Sequence, residues 1–296
     1  MKIDSLIIGL GKIGLRYDLK NNNEIKTHFK ALSLSKYYNI VGLVDNDKSI
    51  VKDIPKKFRK IFFNNHLQAI KKTRPKLIVI STPTIYHYEV LKSIEIFKFV
   101  KIIVCEKPVG TSYNAFQRIL FSKEFKKKIV VNYIRNFLPL TGKLLNYIKK
   151  DLSKNILKIE IKYSKSLLNN GSHFIALMSK IFGKLSLLKT NSRLDNSNFV
   201  LEKNKIFFIF KCTNNKHNSF SLHLKHNIKI DFINNGYYIQ IRGSKNTFKF
   251  LNPEMQFYQY FFYEDLYYKI AKNKNFSNLT LAINVLKTIN NIKHEI

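Results

Sequence analysis

The sequence predicts an α/β protein: a Rossmann domain with a doubly wound parallel sheet, then an α+β domain with a large, mostly antiparallel open sheet. Three observations predict it. Short, fully apolar runs alternate with helical patterns through the first half of the chain, as in a parallel sheet covered on both faces. A glycine turn, Gly9-Leu10-Gly11-Lys12-Ile13-Gly14, directly follows the first of those runs. From about Pro139 the period changes to two: Ile159, Ile161 and Tyr163 alternate with Lys158, Glu160 and Lys162, the pattern of a half-buried strand.

Leu6-Ile7-Ile8 reads as the first strand, and the glycines then turn the chain into a helix. A polar loop around Asn22 and Asn23 precedes a helical stretch from Thr27 to Leu34. Ile40 to Val44 forms the second strand and ends in Asp45-Asn46-Asp47; Ile61-Phe62-Phe63 is a short third strand. A helix from His66 to Lys72 leads to the fourth strand, Leu77 to Ile80, which ends at Ser81-Thr82-Pro83. After a helix from Tyr88 to Ile96, Val100 to Cys105 is the fifth strand and Ile129 to Tyr133 the sixth. In the second half, strands are expected at Ile206–Cys212, Phe220–Leu224, Ile228–Phe232, Tyr238–Ile241 and Phe248–Leu251, with Asn234-Asn235-Gly236 as a turn. Phe174 to Phe182 reads as a covering helix that Gly183 can cap, and Leu279, Ala282, Leu286 and Ile289 share one helical face. The expected domains are 1–136, for dinucleotide binding, and 137–296, for substrate and oligomerisation, with the last helix (about 278–293) packing back on the first. An apolar sheet face left uncovered predicts a homodimer or homotetramer.

Composition narrows the function classes. The 296 residues suffice for two cores. No run reaches membrane-span length, and the start lacks a secretory layout, so a cytoplasmic protein is expected. Cys105 and Cys212 are the only cysteines; they cannot build a disulfide framework, and no metal-ligand cluster surrounds either. The net charge of +33 invites a polyanion partner. The excess is nearly all lysine, however, whereas specific nucleic-acid sites favour arginine. The accompanying wealth of Asn, Ile and Phe points to A/T-rich codons, and no nucleic-acid-binding motif is present. The expected partner is a small molecule, with neither specific nucleic acid nor membrane.

The glycine turn fits a dinucleotide fingerprint. Gly9 permits the tight turn, Gly11 lets the backbone approach a pyrophosphate, and Gly14 lets helix and strand pack closely; Lys12 and Ile13 complete the loop. Asp45, ending the second strand, can accept from ribose hydroxyls and repels a 2′-phosphate, which favours NAD over NADP. The interval from Gly14, about 31 residues, exceeds the roughly 20 expected, and the Asn-rich loop absorbs the excess. Lys48 nearby leaves NADP open. Glu106-Lys107-Pro108 lies at the carboxyl end of a later strand, where ligands bind in open α/β sheets. A lysine there can hold a substrate oxygen and pass a proton.

Taken in order, these residues resemble the glucose-fructose oxidoreductase / inositol dehydrogenase / rhizopine-catabolism (Gfo/Idh/MocA) superfamily. The resemblance runs through the glycine turn, Val44-Asp45, Ser81-Thr82-Pro83 with His87, Cys105-Glu106-Lys107-Pro108 and Asn132-Tyr133-Ile134-Arg135. It extends to Gly171-Ser172-His173-Phe174-Ile175, similar to the family's GxHxxD segment. It implies an NAD(P)-dependent oxidoreductase acting on a carbon–oxygen centre of a sugar-like substrate. Lys107 matches the family's catalytic lysine and His173 its site histidine; Ser81, Thr82, Pro83, His87 and Glu106 match positions around the cofactor. Two positions depart from the family: Asn169 and Ala176 stand where carboxylates are common, so Asn169 can bind substrate but cannot take a proton. A surface-polysaccharide and sugar-nucleotide subgroup is similar at Tyr163-Ser164-Lys165, Asn170-Gly171-Ser172-His173 and Val131 to Arg135. That similarity implies substrate contacts from Tyr133, Arg135, Lys165 and Asn170. The competing reading is a cofactor-binding or regulatory member without turnover.

Overall fold

The computed structural model describes residues 2–19, 25–121, 129–136, 150, 153–191, 197–214, 217–234, 237–243, 245–251, 258–272 and 277–294. Pro139, Asn22, Asn23, Asn235 and Gly236, on which three expectations rest, lie outside them. The chain divides into two compact units, Met1–Tyr133 with Gln259–Ile283 and Ile134–Tyr258 with Asn284–Ile296.

In the first unit six strands, Ile3–Ile8 (β1), Tyr38–Val44 (β2), Phe62–Phe63 (β3), Leu77–Ile80 (β4), Ile102–Cys105 (β5) and Ile129–Val131 (β6), form one sheet in the order β3-β2-β1-β4-β5-β6. Every pairing is parallel. This is the dinucleotide-binding strand order, with its switch point between β1 and β4. The central strands carry apolar runs because helices cover both faces: Leu6, Ile7, Leu77, Ile78, Val79, Ile80, Val104 and Cys105 are fully buried. The helices are His28–Leu34 (α1), His66–Thr73 (α2), His87–Ile94 (α3) and Tyr113–Phe121 (α4); the sequence analysis did not identify α4. Side-chain caps fix two starts, Thr27 accepting from the Lys30 N–H at α1 and Asn65 from the Gln68 N–H at α2. The edge strand β6 is closed by Ser277 and Asn278. The Asn278 amide exchanges both hydrogen bonds with the Val131 backbone, and the Ser277 hydroxyl donates to the Ile129 carbonyl.

One expectation is corrected here. The glycines do not lead straight into an α-helix. A turn and a 3-10 segment, Arg16–Asp18, follow them, and the α-helix begins only at His28. The helix is nevertheless stitched to the glycine turn: the His28 N–H donates to the Ile13 carbonyl at 3.1 Å and the Phe29 N–H to Gly14 at 3.0 Å. The extra segment is thus an excursion set into the helix register. Asp18 closes it, with one carboxylate accepting from the Lys26 N–H and the Thr27 hydroxyl.

The second unit holds an eight-stranded sheet of Ile156–Ser164 (β7), Ser186–Thr190 (β8), Phe199–Lys203 (β9), Ile206–Thr213 (β10), Ser219–Leu224 (β11), Lys229–Ile233 (β12), Tyr238–Arg242 (β13) and Thr247–Leu251 (β14). Its order is β14-β13-β12-β11-β7-β10-β9-β8. Only β7 and β10 pair in parallel. β8 and β9 escaped the sequence analysis, as did the helix Tyr258–Lys272 (α6), which belongs to the first unit from Gln259 onward. Between β7 and β8 stands the helix Ser172–Phe182 (α5), and Leu279–His294 (α7) ends the described chain. One sheet face is aromatic and lies under α5. Phe182 meets Phe208 edge-on at 5.1 Å, Phe174 meets Phe220 at 6.3 Å, and Phe199–Phe210 and Phe220–Phe232 stack across neighbouring strands. The period of two sends the polar residues to the opposite face. There Glu160 pairs with Lys158 and His223, and Asp231 with Lys229, Ser221 and Arg242. The centre of that face is therefore a ladder of charges rather than the uncovered apolar surface expected; its exposed apolar residues, Phe207, Ile233, Tyr238 and Leu251, stand around the ladder.

Candidate active site

The glycine turn sits over the carboxyl ends of β1 and β4. Gly9 has φ +91°, and a Cβ on it would lie 2.6 Å from the Thr82 nitrogen. A Cβ on Gly14 would lie 2.1 Å from the Gly9 carbonyl oxygen, whereas one on Gly11 meets nothing within 4 Å. Two glycines are thus demanded by packing within the protein, and the one between them faces open space. That is the division of labour a dinucleotide loop needs. The Ser81 hydroxyl donates to the Gly9 carbonyl at 2.7 Å and ties the turn to β4.

Asp45, at the end of β2, accepts from the Leu10 N–H at 2.7 Å and, through its other oxygen, from the Asp47 N–H at 3.0 Å. Each oxygen keeps a lone pair for a ribose hydroxyl. The Thr82 Oγ1 is buried with no hydrogen-bond partner among the described residues. An open glycine, a fixed carboxylate and a buried hydroxyl fit a dinucleotide. Lys12 and Pro83 are exposed and Ile13 half-buried beside this cradle. His87 is wholly buried: its Nδ1 faces the Pro108 carbonyl at 3.0 Å and its Nε2 the Thr82 carbonyl at 2.8 Å. It braces the two turns that carry Thr82 and Lys107. Burial holds its pKa below the usual histidine value, against the pull of those carbonyls and Glu106. The Cys105 thiol is pushed up by burial, in keeping with a packing role.

β5 delivers Glu106 and Lys107 to the same carboxyl edge, and the Lys107–Pro108 peptide is cis. Glu106 turns inward, with 13% of its side chain exposed. Its Oε1 accepts from the Asn132 amide and faces the His28 Nε2 at 2.9 Å, and its Oε2 faces the Lys107 N–H at 3.4 Å. Burial alone would raise this carboxyl. The hydrogen bonds from His28 and Asn132, with the Lys107 charge, outweigh it and hold the group below the usual carboxylate range. Lys107 itself is half-buried. Sequence reasoning named Glu106 and Lys107 but missed His28 and Asn132 as parts of this cluster.

This first unit has a clear relation. Residues 3–133 match the family model described as oxidoreductase family, NAD-binding Rossmann fold, GFO_IDH_MocA. The family likeness therefore rests on the first unit. The resemblance read from the motifs holds over that span. Among solved structures, a dehydrogenase (MviM) from Clostridium difficile aligns over 100% of both chains with TM-score 0.78 and 17% identity. A mutant of KijD10, a 3-ketoreductase from Actinomadura kijaniata in complex with TDP-benzene and NADP, aligns over 99% of this chain and 97% of that one, with TM-score 0.78 and 10% identity. An oxidoreductase from Agrobacterium radiobacter in complex with NAD+, L-tartaric acid and magnesium aligns over 100% and 97%, with TM-score 0.78 and 10% identity. At such identities the likeness establishes the fold. A search of curated proteins finds no match. The Gfo/Idh/MocA cofactor is a nicotinamide dinucleotide, and Gly9, Gly11, Gly14, Asp45 and Thr82 are the residues here that fit one.

Within the second unit the structure gathers Asn169, Asn170 and His173 at the start of α5. Leu167–Gly171 forms a single π-helical turn, in which the Gly171 N–H reaches back to the Ser166 carbonyl; such turns recur at functional sites. Gly171 is packed against Tyr163 and Leu167. Asn170 donates to the Ser164 hydroxyl at 3.0 Å, and Asn218 accepts from the Ser164 N–H. Asn169 is exposed and contacts Ser166; Lys165 is exposed, with φ +71°. His173 is buried in the first turn of α5. Arg135 is buried, its guanidinium 4.6 Å from the centre of the Phe174 ring. Tyr133, in the first unit, is wholly buried, and burial raises its phenol. Among the described residues no cluster of His, Cys, Asp and Glu could hold a metal ion, and no helix is long and apolar enough to cross a membrane.

Proposed function

We propose that the protein is an NAD(P)-dependent oxidoreductase that transfers hydride between nicotinamide and a carbon–oxygen centre of a sugar or sugar nucleotide. The observation that carries this reading is the placement of Lys107 on the same sheet edge as the glycine cradle. A bound nicotinamide supplies the hydride acceptor or donor. Hydride can leave a carbinol carbon only as the hydroxyl proton leaves, so a side chain must hold that oxygen and its proton. Lys107 takes this role. Gly9, Gly11, Lys12, Ile13, Gly14, Asp45, Ser81 and Thr82 form the cofactor cradle, with Asp45 favouring NAD; Pro83, His87 and Glu106 support it. On this reading His173, Asn169, Asn170, Tyr133, Arg135 and Lys165 serve the substrate. Arg135 and Lys165 suit a phosphate or carboxylate, which supports a nucleotide-linked sugar, as used in surface polysaccharide biosynthesis in the cytoplasm. A homodimer or homotetramer belongs to the same reading; a monomer by light scattering at micromolar concentration would contradict it.

Asn169 and Ala176 favour a second reading, a family member that binds cofactor without turnover. The first experiment is fluorescence titration with NADH, then NADPH, at moderate salt, which suppresses nonspecific polyanion binding. Saturable NADH binding that is lost in Gly11→Asp supports the cofactor assignment, and absence of binding overturns it. An active wild type beside an inactive Lys107→Ala, in a screen of sugar nucleotides, excludes the second reading.

A further inference from the structure

We propose that His28 is a positioning residue for Lys107, acting through Glu106, with Tyr267 holding the imidazole in place. The assignment rests on the reading of Lys107 as the residue that handles the substrate proton. His28 is the first residue of α1, 0% exposed, and lies 78 positions from Glu106 in sequence. Its ring is fixed on every side. Nε2 meets Glu106 Oε1 at 2.9 Å and Nδ1 meets the Tyr267 hydroxyl at 2.6 Å. Tyr263 and Tyr267 both present their rings edge-on, with centroids 5.1 and 6.0 Å away. Tyr267 is held in turn, because the Tyr38 hydroxyl donates to its backbone carbonyl at 2.6 Å.

The partners settle the tautomer. Glu106, kept ionised by its donors, can only accept, so Nε2 carries the hydrogen and donates. Nδ1 then accepts from the Tyr267 O–H, a phenol that burial keeps protonated. The same carboxylate reaches the Lys107 N–H with its other oxygen. An unbroken chain therefore runs from the ring through Glu106 to the backbone that projects Lys107. A buried polar contact of this kind adds little net stability over apolar packing, so its main consequence is where it sets that turn. His28 is also stitched to the glycine turn through the Ile13 carbonyl. One helix start thereby anchors the cofactor cradle and braces the lysine.

The test uses the full chain and reductive methylation by formaldehyde and cyanoborohydride, resolved lysine by lysine by mass spectrometry. His28→Leu is expected to speed labelling of Lys107 about threefold or more relative to the other lysines, a change equivalent to a fraction of a pKa unit. His28→Gln, which keeps an N–H toward Glu106, is expected to restore the wild-type rate. A merely structural histidine would lower the melting temperature without singling out Lys107. If His28→Leu does not fold, Tyr267→Phe carries the test, with a smaller increase in the same direction. Unchanged Lys107 labelling in a folded variant, or a 15N spectrum showing the His28 hydrogen on Nδ1, overturns the proposal. NADH titration of the wild type is run beside it. Failure to bind NADH would sink the oxidoreductase reading while leaving the labelling comparison intact.

Discussion

The Asp45 carboxylate is fastened to the glycine turn by the Leu10 N–H, 2.7 Å from its Oδ2. The acid at the end of β2 and the loop after β1 therefore form one rigid piece. Substituting Asp45→Asn keeps an oxygen for Leu10 but removes the charge. The ratio of NADPH to NADH affinity is expected to rise about tenfold, roughly 1.4 kcal/mol, with a stability loss of about 1 kcal/mol because the amide nitrogen cannot accept from the Asp47 N–H. Fluorescence titration with both cofactors measures it. An unchanged ratio would mean that Asp45 does not read the ribose.

Gly14 and Gly11 separate folding from binding. The Cβ of Gly14→Ala would press on the Gly9 carbonyl, and the expected loss is about 2–3 kcal/mol by urea denaturation. Gly11→Ala meets open space, so stability is expected to stay within about 0.5 kcal/mol of the wild type, with weaker NADH binding. Equal destabilisation by both changes would contradict the local geometry.

Glu106 should leave a mark on acid stability. Its carboxyl sits below the usual range in the folded protein, so the unfolded chain binds the proton first as pH falls. The stabilisation is complete above the unfolded carboxylate pKa and is lost as pH drops through the lower folded value. Glu106→Gln is expected to cost about 2 kcal/mol at neutral pH and to flatten the decline below about pH 4.5. Parallel denaturation curves from pH 3 to 7 for both proteins provide the check.

In the second unit, the Arg135 guanidinium lies on the Phe174 ring in a buried setting. Lysine has no planar group to stack there. Arg135→Lys is expected to cost about 2 kcal/mol, and much of that cost should vanish in a Phe174→Leu background. A double-mutant cycle that sums without coupling would show the contact to be incidental.

Much of the fold was legible from local pattern. Fully apolar runs marked β1, β4 and β5, because a strand covered on both faces has no polar positions, and alternation marked β7 for the opposite reason. The glycine spacing, Asp45 and Glu106-Lys107-Pro108 were equally visible, since each is a short motif at a strand end. β8 and β9 were not. Their sequences, Ser186–Thr190 and Phe199–Lys203, are short and flank a polar stretch, so no period develops. The polar loop before α1 was legible, but the helix expected directly after the glycines is a turn and a 3-10 segment, and the hydrogen bonds that rejoin the turn to α1 span residues 13 and 28, which no local pattern shows.

By itself, then, the sequence determined that a nucleotide-binding sheet comes first and which strand ends carry chemical groups, because hydrophobic period and turn residues act locally. Only the tertiary structure decided that His28, Asn132 and Tyr267 converge around Glu106 behind Lys107. It alone decided that the exposed sheet face carries charge at its centre. Hydrogen bonds between side chains far apart in sequence leave no periodic trace, and they form only when the packing of separate elements brings the groups together.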